Sequence, residues 1–401
     1  MSSKIVSYVE GLGLPFSRSE ALQSRLVKDT QLLDHLSDQG FSHNARNELA
    51  CKLLQEALGD AAVEIPHNGA KAGGSLRLAH CPRAVLSSQL QHKMYPEPSN
   101  YQPLSNQICH PQRRSLAHPG RSSIDQSGIL IDLQRLNQVT VSNDRSVAIL
   151  GPGERWGDVY KALDPYGVSV IGGRIILHIG VGGLIIGGGF FHLSGQYGMA
   201  ADNVKDFHVV LADGTITDAN AKENSDLFWA LKGGGANFGI VDRFDCYTLP
   251  VHRVWRQVGT YKVEQAPALH ESFAKWQETG ASDVKATVAL ILGVETATVG
   301  LTYSESVDDQ PASFAPFKDI PPLSYAIPPA NGTVLELIQI LGGSFANSPT
   351  KDQNPLGSYG VENVTKLKAV SRKYDPQQIF QKLQNNGFLL SKSVAPPPSS
   401  I

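Results

Sequence analysis

The chain has 401 residues, of which 41% are hydrophobic and 18% charged, the composition of a globular protein long enough for two domains. Its 35 Lys and Arg residues face 37 Asp and Glu residues, so no positive excess is available to neutralise a nucleic-acid backbone, and we predict no nucleic-acid partner. The four cysteines have neither the density of a disulfide scaffold nor the paired spacing of a zinc module. The sequence therefore predicts no metal site.

The first ten residues lack the apolar core of a signal peptide and carry Glu10 where such a core would lie. They predict a cytoplasmic protein, with secretion as the alternative. Residues 175–193 form an uncharged run that approaches the ~20 residues of a transmembrane helix. The glycine density and the two histidines of this run argue against a membrane span, and we predict no membrane partner.

In chain order, the first segment with a clear pattern is residues 17–60, where Leu and Ala repeat at helical spacing. Residues 1–44 are predicted to form a helical leader. Residues 67–114 contain scattered Pro, His, Gln and Ser with little helix or strand periodicity. This stretch is predicted to be irregular.

Regular structure is predicted again after Gly128. Short strands are expected at 129–133, 139–141 and 147–150, and a hairpin at 207–217 that turns at Asp213-Gly214. Two helices are also expected. The first is 154–163, and its apolar face contains Trp156, Val159, Tyr160 and Leu163. The second is 224–232, and Asn224 or Ser225 is predicted to cap it.

Four glycine clusters lie between residues 151 and 250, on the loops that connect these elements. Glycine is unfavourable in regular structure, so such clusters indicate backbone that bends sharply or closely approaches a ligand. Loop N–H groups are also free to bind a pyrophosphate. Tight turns between packed strands are the alternative, and for Gly233 to Gly235 they are equally favoured. A Rossmann fingerprint is disfavoured because Ile185 occupies its third glycine position.

The order of the motifs is informative. It runs Gly-Pro-Gly-x-x-Trp-Gly-Asp-Val-Tyr from Gly151, Gly-Gly-Arg from Gly172, Gly-Val-Gly-Gly-Leu-x-x-Gly-Gly-Gly from Gly180, Ser-Gly-x-Tyr-Gly from Ser194, and Asp-Asn-Val from Asp202. Leu-Ala-Asp-Gly, Asp-Leu-Phe-Trp-Ala-Leu-Lys-Gly-Gly-Gly and Asn-Phe-Gly-Ile-Val follow. This series resembles the FAD-binding domain of berberine-bridge-type FAD-linked oxidoreductases, especially fungal ones.

The resemblance implies an α+β fold: a two-lobed, PCMH-type FAD-binding domain of the vanillyl-alcohol-oxidase kind, followed by a smaller α+β substrate domain. Strands at 254–262 and within 284–303, with a helix at 266–277, begin that second domain, which is shortened beyond about residue 342. The implied boundaries are 1–44 for the leader, 45–250 for the FAD-binding domain with 67–120 irregular, 251–345 for the substrate domain, 346–390 for a segment that returns to the FAD-binding domain, and 391–401 for a tail.

The resemblance also implies FAD as the cofactor and points to the residues that would contact it. These are Gly172, Gly173, Gly180, Gly182, Gly183, Gly188, Ser194, Tyr197, Gly198, Asp202, Asn203, Val204, Gly239, Ile240 and Val241, with His118 as a candidate attachment residue.

Three departures from the family pattern bear on the chemistry. Relatives bind FAD covalently through the histidine of a Gly-Gly-His block, where this chain has Arg113-Arg114-Ser115, with His118 displaced from that position. Doubly linked relatives have a cysteine soon after the position of Gly172-Gly173, where this chain has Ile175-Ile176. The family's Asn-Tyr pair is Asn347-Ser348 here. We therefore predict that FAD binds non-covalently. The sequence does not allow a catalytic base to be assigned.

The function that the resemblance implies is an FAD-dependent oxidoreductase acting in fungal secondary metabolism. Such an enzyme oxidises an alcohol or amine carbon of a small organic molecule, with hydride transfer to flavin N5 and reoxidation by molecular oxygen. The alternative is a catalytically impaired or non-redox, truncated member of the same fold.

Overall fold

A computed structural model describes residues 63–64, 76–78, 129–131, 133–174, 179–340, 354–382, 384 and 387–393. The chain divides into two compact units. The first comprises Met1–Asn137, Asp206–Arg243 and Asn347–Ile401, and the second comprises Gln138–Lys205 and Phe244–Ala346. The predicted helical leader, 1–44, lies outside the described residues, and the domain boundaries given above stay a prediction.

Twelve strands in the described part of the chain form three sheets with the orders β1-β2-β3, β4-β5-β8-β6-β7 and β10-β11-β9-β12. Their bounds are β1 Val63–Glu64, β2 Leu76–Leu78, β3 Ile129–Ile131, β4 Val139–Val141, β5 Val147–Leu150, β6 Val204–Val210, β7 Ile216–Asn220, β8 Ile240–Tyr247, β9 Arg253–Lys262, β10 Ala286–Leu292, β11 Thr296–Tyr303 and β12 Ser324–Thr333. Mixed helices and largely antiparallel sheets confirm the α+β class.

The α-helices of the described residues are α1 Trp156–Leu163, α2 Val181–Ile186, α3 Ser194–Tyr197, α4 Ser225–Leu231, α5 Ala266–Thr279, α6 Val334–Ile340, α7 Gly360–Tyr374 and α8 Ile379–Lys382. No helix in these ranges is long and apolar enough to cross a membrane. Within the uncharged run 175–193, the described part contains only the six residues of α2 in helical conformation.

In the first unit, β2 pairs antiparallel with β1 and parallel with β3. This strand lies within the region that was predicted to be irregular. The prediction is wrong at residues 76–78, because three residues are too few to produce a recognisable alternating pattern in sequence.

The hairpin of β6 and β7 is confirmed, with His208 paired to Asp218 and Val210 to Ile216. Gly214 adopts a φ of 81°, in the left-handed region that glycine tolerates. The backbone N–H of Thr215 donates to the Asp213 carboxylate at 2.8 Å. The turn is thus fixed by the residues that predicted it.

Helix α4 forms where it was predicted, but Asn224 does not cap it. Asn224 has a φ of 47°, and its side-chain amide donates instead to the Thr217 hydroxyl and the Asp218 carbonyl, both at 2.8 Å. The bonds to β7 replace a capping bond, so tertiary structure overrides the local preference. The helix ends before Gly233, whose φ is 93°.

The C-terminal segment packs in the first unit around the buried side chain of Asn237. The Asn237 amide donates to the carbonyls of Gly234 at 2.7 Å and Phe388 at 3.0 Å, and its oxygen accepts from Gln381 Nε2 at 3.0 Å and from the Leu390 N–H at 3.3 Å. One side chain therefore joins the glycine loop after α4 to two parts of the C-terminal segment.

Two further contacts fix this segment. The Asp375 carboxylate accepts the N–H groups of Ile379 and Phe380, both at 2.8 Å, at the start of α8. Asp226 at the start of α4 accepts from Lys373 Nζ at 2.5 Å and from the Tyr374 hydroxyl at 2.7 Å. Burial raises the pKa of Asp375, while the Lys373 and Tyr374 donors outweigh partial burial and lower that of Asp226.

In the second unit, the predicted α1 begins two residues later than expected and buries the predicted face of Trp156, Val159, Tyr160 and Leu163. An apolar cluster lies on the sheet of β9 to β12, under α5 and a 3-10 helix at Ala312–Phe317. The rings of Trp255 and Phe314 stack there at 5.8 Å. Strand β12, which was not predicted, contains Pro328 and Pro329 and lies at the sheet edge, where proline is tolerated.

We expect Asn237→Asp to destabilise the protein by about 2–4 kcal/mol, because the carbonyls of Gly234 and Phe388 lose their donor and face a carboxylate instead. Urea unfolding at neutral pH measures this loss. The matched control is Asn363→Asp on the exposed surface of α7, which should change stability by less than about 0.5 kcal/mol. Equal effects of the two substitutions would contradict the role given to Asn237.

Candidate functional site

The indole of Trp156 determines the path of the chain at the second glycine cluster. A Cβ at Gly172 would lie well inside van der Waals distance of the indole's six-membered ring, and one at Gly173 would lie 2.6 Å from its Cδ1 atom. Trp156 is completely buried. Packing against this ring therefore accounts for glycine at both positions without a ligand.

Two backbone hydrogen bonds then connect the start of α1 to the start of α2. Trp156 N–H donates to the Ile179 carbonyl at 3.1 Å, and Val181 N–H donates to the Glu154 carbonyl at 3.0 Å. Arg155 and Gly180 form an antiparallel bridge between these two bonds. The third glycine cluster thus begins at a fixed position relative to α1.

The glycines of α2 have different surroundings. Gly182 is buried, whereas Gly183 is exposed, and a Cβ built on it would have no other atom of the described residues within 4 Å. Gly180 has only the Glu154 carbonyl oxygen, at 4.0 Å. The N–H groups in the first turn of a helix have no intrahelical partner. Because Val181 N–H donates to the Glu154 carbonyl, only the later N–H groups of this turn lie beside the open space at Gly183.

After α2 the chain makes a tight turn. Gly188 and Gly189 have φ of 101° and 76°, and their carbonyls accept the N–H groups of Ala201 at 2.9 Å and Ala200 at 2.7 Å. These left-handed conformations require glycine. Gly188 therefore has a local reason to be glycine, whether or not it contacts a ligand.

The polar residues of the next two motifs stabilise their own loop. Ser194 Oγ accepts the Phe191 N–H at 2.9 Å, and Asp202 accepts the Met199 N–H at 2.8 Å. The Asn203 amide donates to the carbonyls of Tyr197 at 2.8 Å and Met199 at 2.9 Å. Gly198 has a φ of 78°, and Val204 begins β6 as a buried residue.

Gly239, Ile240 and Val241 lie in the first unit, at the start of β8. A Cβ at Gly239 would lie 2.5 Å from Val209 Cγ1, so strand packing accounts for this glycine. Ile240 and Val241 are buried. His118 lies outside the described residues.

The buried polar atoms of the second unit that have no hydrogen-bond partner among the described residues include Glu154 Oε2 and Trp156 Nε1. These two atoms belong to the segment that bridges to Gly180. Burial raises the pKa of Glu154, with Asp158 adding to the effect. Because buried polar groups in folded proteins are normally hydrogen-bonded, these atoms indicate a place where a ligand or water completes the structure.

Sequence reasoning missed two residues beside the glycine clusters, Arg174 and His192. His192 Nε2 donates to the Arg174 carbonyl at 2.9 Å, and the Arg174 guanidinium lies over the Phe190 ring, 5.1 Å from its centroid. The available signal was chemical: Arg174 follows a glycine pair, and His192 is one of the few polar residues in an apolar run. No cluster of three metal-ligating side chains occurs within the ranges that the structure describes.

Comparison with known proteins identifies the domain that carries this surface. Residues 114–220 match the family model described as FAD binding domain. An FAD-dependent monooxygenase of Arthrobotrys oligospora is 41% identical over 249 residues, which cover 62% of this chain and 48% of that protein. The FAD-dependent monooxygenase macF of Penicillium terrestre is 36% identical over 252 residues, 62% of this chain and 48% of that protein. The chain spans about half the length of these curated relatives.

Solved structures share the fold at low identity. The 6-hydroxy-D-nicotine oxidase of Arthrobacter nicotinovorans superposes with a TM-score of 0.65 and 17% identity, over 82% of this chain and 98% of that chain. A carbohydrate oxidase from Microdochium nivale superposes with a TM-score of 0.57 and 22% identity, over 81% of this chain and 73% of that chain. These similarities confirm the PCMH-type fold.

The glycines should differ sharply in their tolerance of a side chain. We expect Gly172→Ala to destabilise the protein by about 1–3 kcal/mol, because the added methyl group overlaps the buried Trp156 indole. Gly183→Ala should change stability by less than about 0.5 kcal/mol, because its methyl group enters open space and alanine favours a helix. Thermal and urea unfolding of the two variants test this difference. A destabilised Gly183→Ala variant would show that the space beside α2 is filled by protein.

Proposed function

We propose that this chain, which carries an FAD-binding domain of the berberine-bridge type, is an FAD-dependent oxidoreductase that oxidises a small organic molecule. The observation that carries the proposal is the match of residues 114–220 to an FAD-binding domain, together with open space at Gly180 and Gly183 inside that range. Molecular oxygen is the proposed electron acceptor. The relatives' occurrence in fungi supports a role in fungal secondary metabolism.

The residues of the second unit fit this cofactor. Gly180 and Gly183 leave room for a bulky group, because no described atom lies closer than 4.0 Å to a Cβ built at either position. The unpartnered Glu154 carboxylate and Trp156 indole N–H would accept from a hydroxyl and donate to an oxygen, respectively. FAD offers all of these complementary groups. Of the predicted contact residues, Gly180 and Gly183 are therefore the ones we propose to hold the cofactor directly, whereas Gly182 is buried.

In this proposal, other predicted contact residues support the site indirectly, by fixing the conformation of its loops. Gly172 and Gly173 fix the loop against Trp156, while Gly188, Ser194, Gly198, Asp202 and Asn203 hold the following turns through the local bonds described above. FAD held at these residues would supply the redox chemistry, in which a hydride leaves a substrate carbon and the electrons are passed on to oxygen. The chain's own residues position the reactants and exclude water from them.

Relatives named as monooxygenases suggest a second outcome of the same chemistry, insertion of an oxygen atom into the substrate. An oxidase releases hydrogen peroxide in proportion to substrate consumed, whereas a monooxygenase incorporates oxygen-18 from labelled O2 into the product. If the protein retains FAD but no candidate substrate reduces the flavin, the chain would instead be a catalytically impaired or non-redox, truncated member of the same fold.

We expect the purified protein to be yellow, with the absorption bands of oxidised flavin, and to release all of this colour on acid precipitation. The reason is that the positions at which relatives attach FAD carry Arg113-Arg114-Ser115 and Ile175-Ile176, none of which forms a flavin bond. Spectra of the supernatant and pellet measure the released fraction. A yellow pellet containing a flavin-modified peptide with His118 would contradict non-covalent binding. A colourless protein that cannot be reconstituted with FAD would overturn the proposed function.

We expect Gly183→Val to retain less than about a tenth of the wild-type FAD, because a branched side chain fills the space proposed for the cofactor, and its Cβ would have no described atom within 4 Å. The ratio of flavin to protein absorbance gives the occupancy, and circular dichroism checks the fold. The control is Gly300→Ala in β11, where the added methyl group would lie at ordinary contact distance, 3.7 Å, from Ala289. Unchanged FAD content in Gly183→Val would remove Gly183 from the site.

A further inference from the structure

The side chain of Arg174 carries a positive charge without a carboxylate partner among the described residues. Its guanidinium lies over the face of Phe190, 5.1 Å from the ring centroid, and no ion pair involves it in these ranges. Partial burial lowers the pKa of Arg174. A partly desolvated guanidinium is unfavourable without an anion, and stacking on an aromatic ring leaves its N–H edges free to bind one.

His192 places a hydrogen-bond acceptor close to this cation. Its Nε2 contacts the Arg174 carbonyl oxygen at 2.9 Å, and since a carbonyl only accepts, Nε2 carries the proton. Burial, reinforced by the charge of Arg174 and opposed by this hydrogen bond, lowers the pKa of His192 to about 4. The imidazole is therefore neutral at physiological pH, and its Nδ1 is an unprotonated acceptor.

Contacts with neighbouring residues fix the position of His192. The Thr287 hydroxyl of β10 donates to the His192 carbonyl at 2.6 Å. The ring of Phe191 packs edge-on against His192 at 5.4 Å and stacks on Tyr160 at 5.7 Å. Phe191 and Tyr160 are buried, whereas Phe190 is 46% exposed. The neighbouring imidazole is thus fixed, while the face that carries Arg174 and Phe190 is accessible.

We propose that Arg174, Phe190 and His192 form a binding site for the carboxylate of an organic, preferably aromatic, substrate. The carboxylate would bind the planar guanidinium through two parallel hydrogen bonds, the apolar part would pack beside Phe190, and a hydroxyl of the same molecule would donate to His192 Nδ1. This inference rests on the proposed function and narrows its substrate class to organic acids. All three residues belong to the second unit, in the FAD-binding range 114–220.

The phosphates of the cofactor are the other anions that the guanidinium could bind. The substrate carboxylate is favoured because the accessible aromatic surface of Phe190 lies directly against the cation, and a pyrophosphate has no apolar part to cover it. The two possibilities predict opposite results for FAD retention, so one variant distinguishes them.

The test uses the FAD-loaded full chain and benzoate as the probe. Titration calorimetry should detect benzoate binding to the wild type, and Arg174→Gln should weaken it about tenfold or more while FAD content stays unchanged. Arg174→Lys, which keeps the charge but loses the planar fork, should give an intermediate affinity. The matched control is Arg253→Gln, which removes an exposed arginine of the same unit and should alter affinity less than twofold.

A second measurement tests, in the wild-type protein, whether benzoate binds beside Arg174 and His192. Saturating benzoate should raise the pKa of His192, because an anion at Arg174 cancels the nearby positive charge that contributes to lowering it. NMR titration of the imidazole C2–H, assigned with His192→Gln, measures this change. Phe190→Leu should weaken benzoate binding while leaving the pKa change on saturation.

Three results would overturn the inference: no benzoate binding to FAD-loaded protein, equal affinity of Arg174→Gln and wild type, or loss of FAD from Arg174→Gln. The last would assign the guanidinium to a cofactor phosphate. Each of these results can occur while the proposed function holds, because each is measured on protein whose FAD content is known. If Arg174→Gln does not fold, the NMR measurement on the wild type decides: an unchanged His192 pKa on saturation with benzoate would overturn the site.

Discussion

The contact of the Trp156 indole with the backbone of Gly172 and Gly173 is the constraint on which the candidate site depends. No side chain fits between the ring and this loop, so the loop lies directly on α1. The bonds from Trp156 N–H and to the Glu154 carbonyl then fix where α2 begins. A buried aromatic ring thereby determines the position of an exposed glycine surface several residues further along the chain.

The glycines of this region consequently serve two purposes. Gly172 and Gly173 are glycine because protein occupies the space a side chain would need, and Gly188 because of its left-handed backbone conformation. Gly183 has neither reason, since its φ is not in the left-handed region and its surroundings are open. A glycine that the protein's own packing does not explain is the stronger indication of a ligand.

The second unit also contains a positive charge, unpaired among the described residues, beside the glycine clusters. Arg174 retains a charge that no described carboxylate neutralises, and this charge contributes to keeping His192 neutral. Around the C-terminal segment of the first unit the charges are paired, because Asp226 and Lys373 form a close ion pair and Asp375 binds the backbone N–H groups of α8. Satisfied polar groups hold the C-terminal segment on α4, whereas unsatisfied ones lie beside the glycine clusters. That contrast separates a structural polar cluster from a binding surface.

The sequence by itself determined the α+β class, the helix face of α1, the Asp213-Gly214 hairpin and the FAD-binding domain, because each depends on local periodicity, turn chemistry or an ordered series of motifs. It did not determine β2, which is too short to show a period, or β12, whose prolines are tolerated only because it is an edge strand. It predicted Asn224 or Ser225 as the cap of α4, but the Asn224 side chain bonds to β7 instead. Only the tertiary structure decided which glycines face protein and which face open space, and that no described carboxylate pairs with Arg174, because both depend on neighbours distant in sequence.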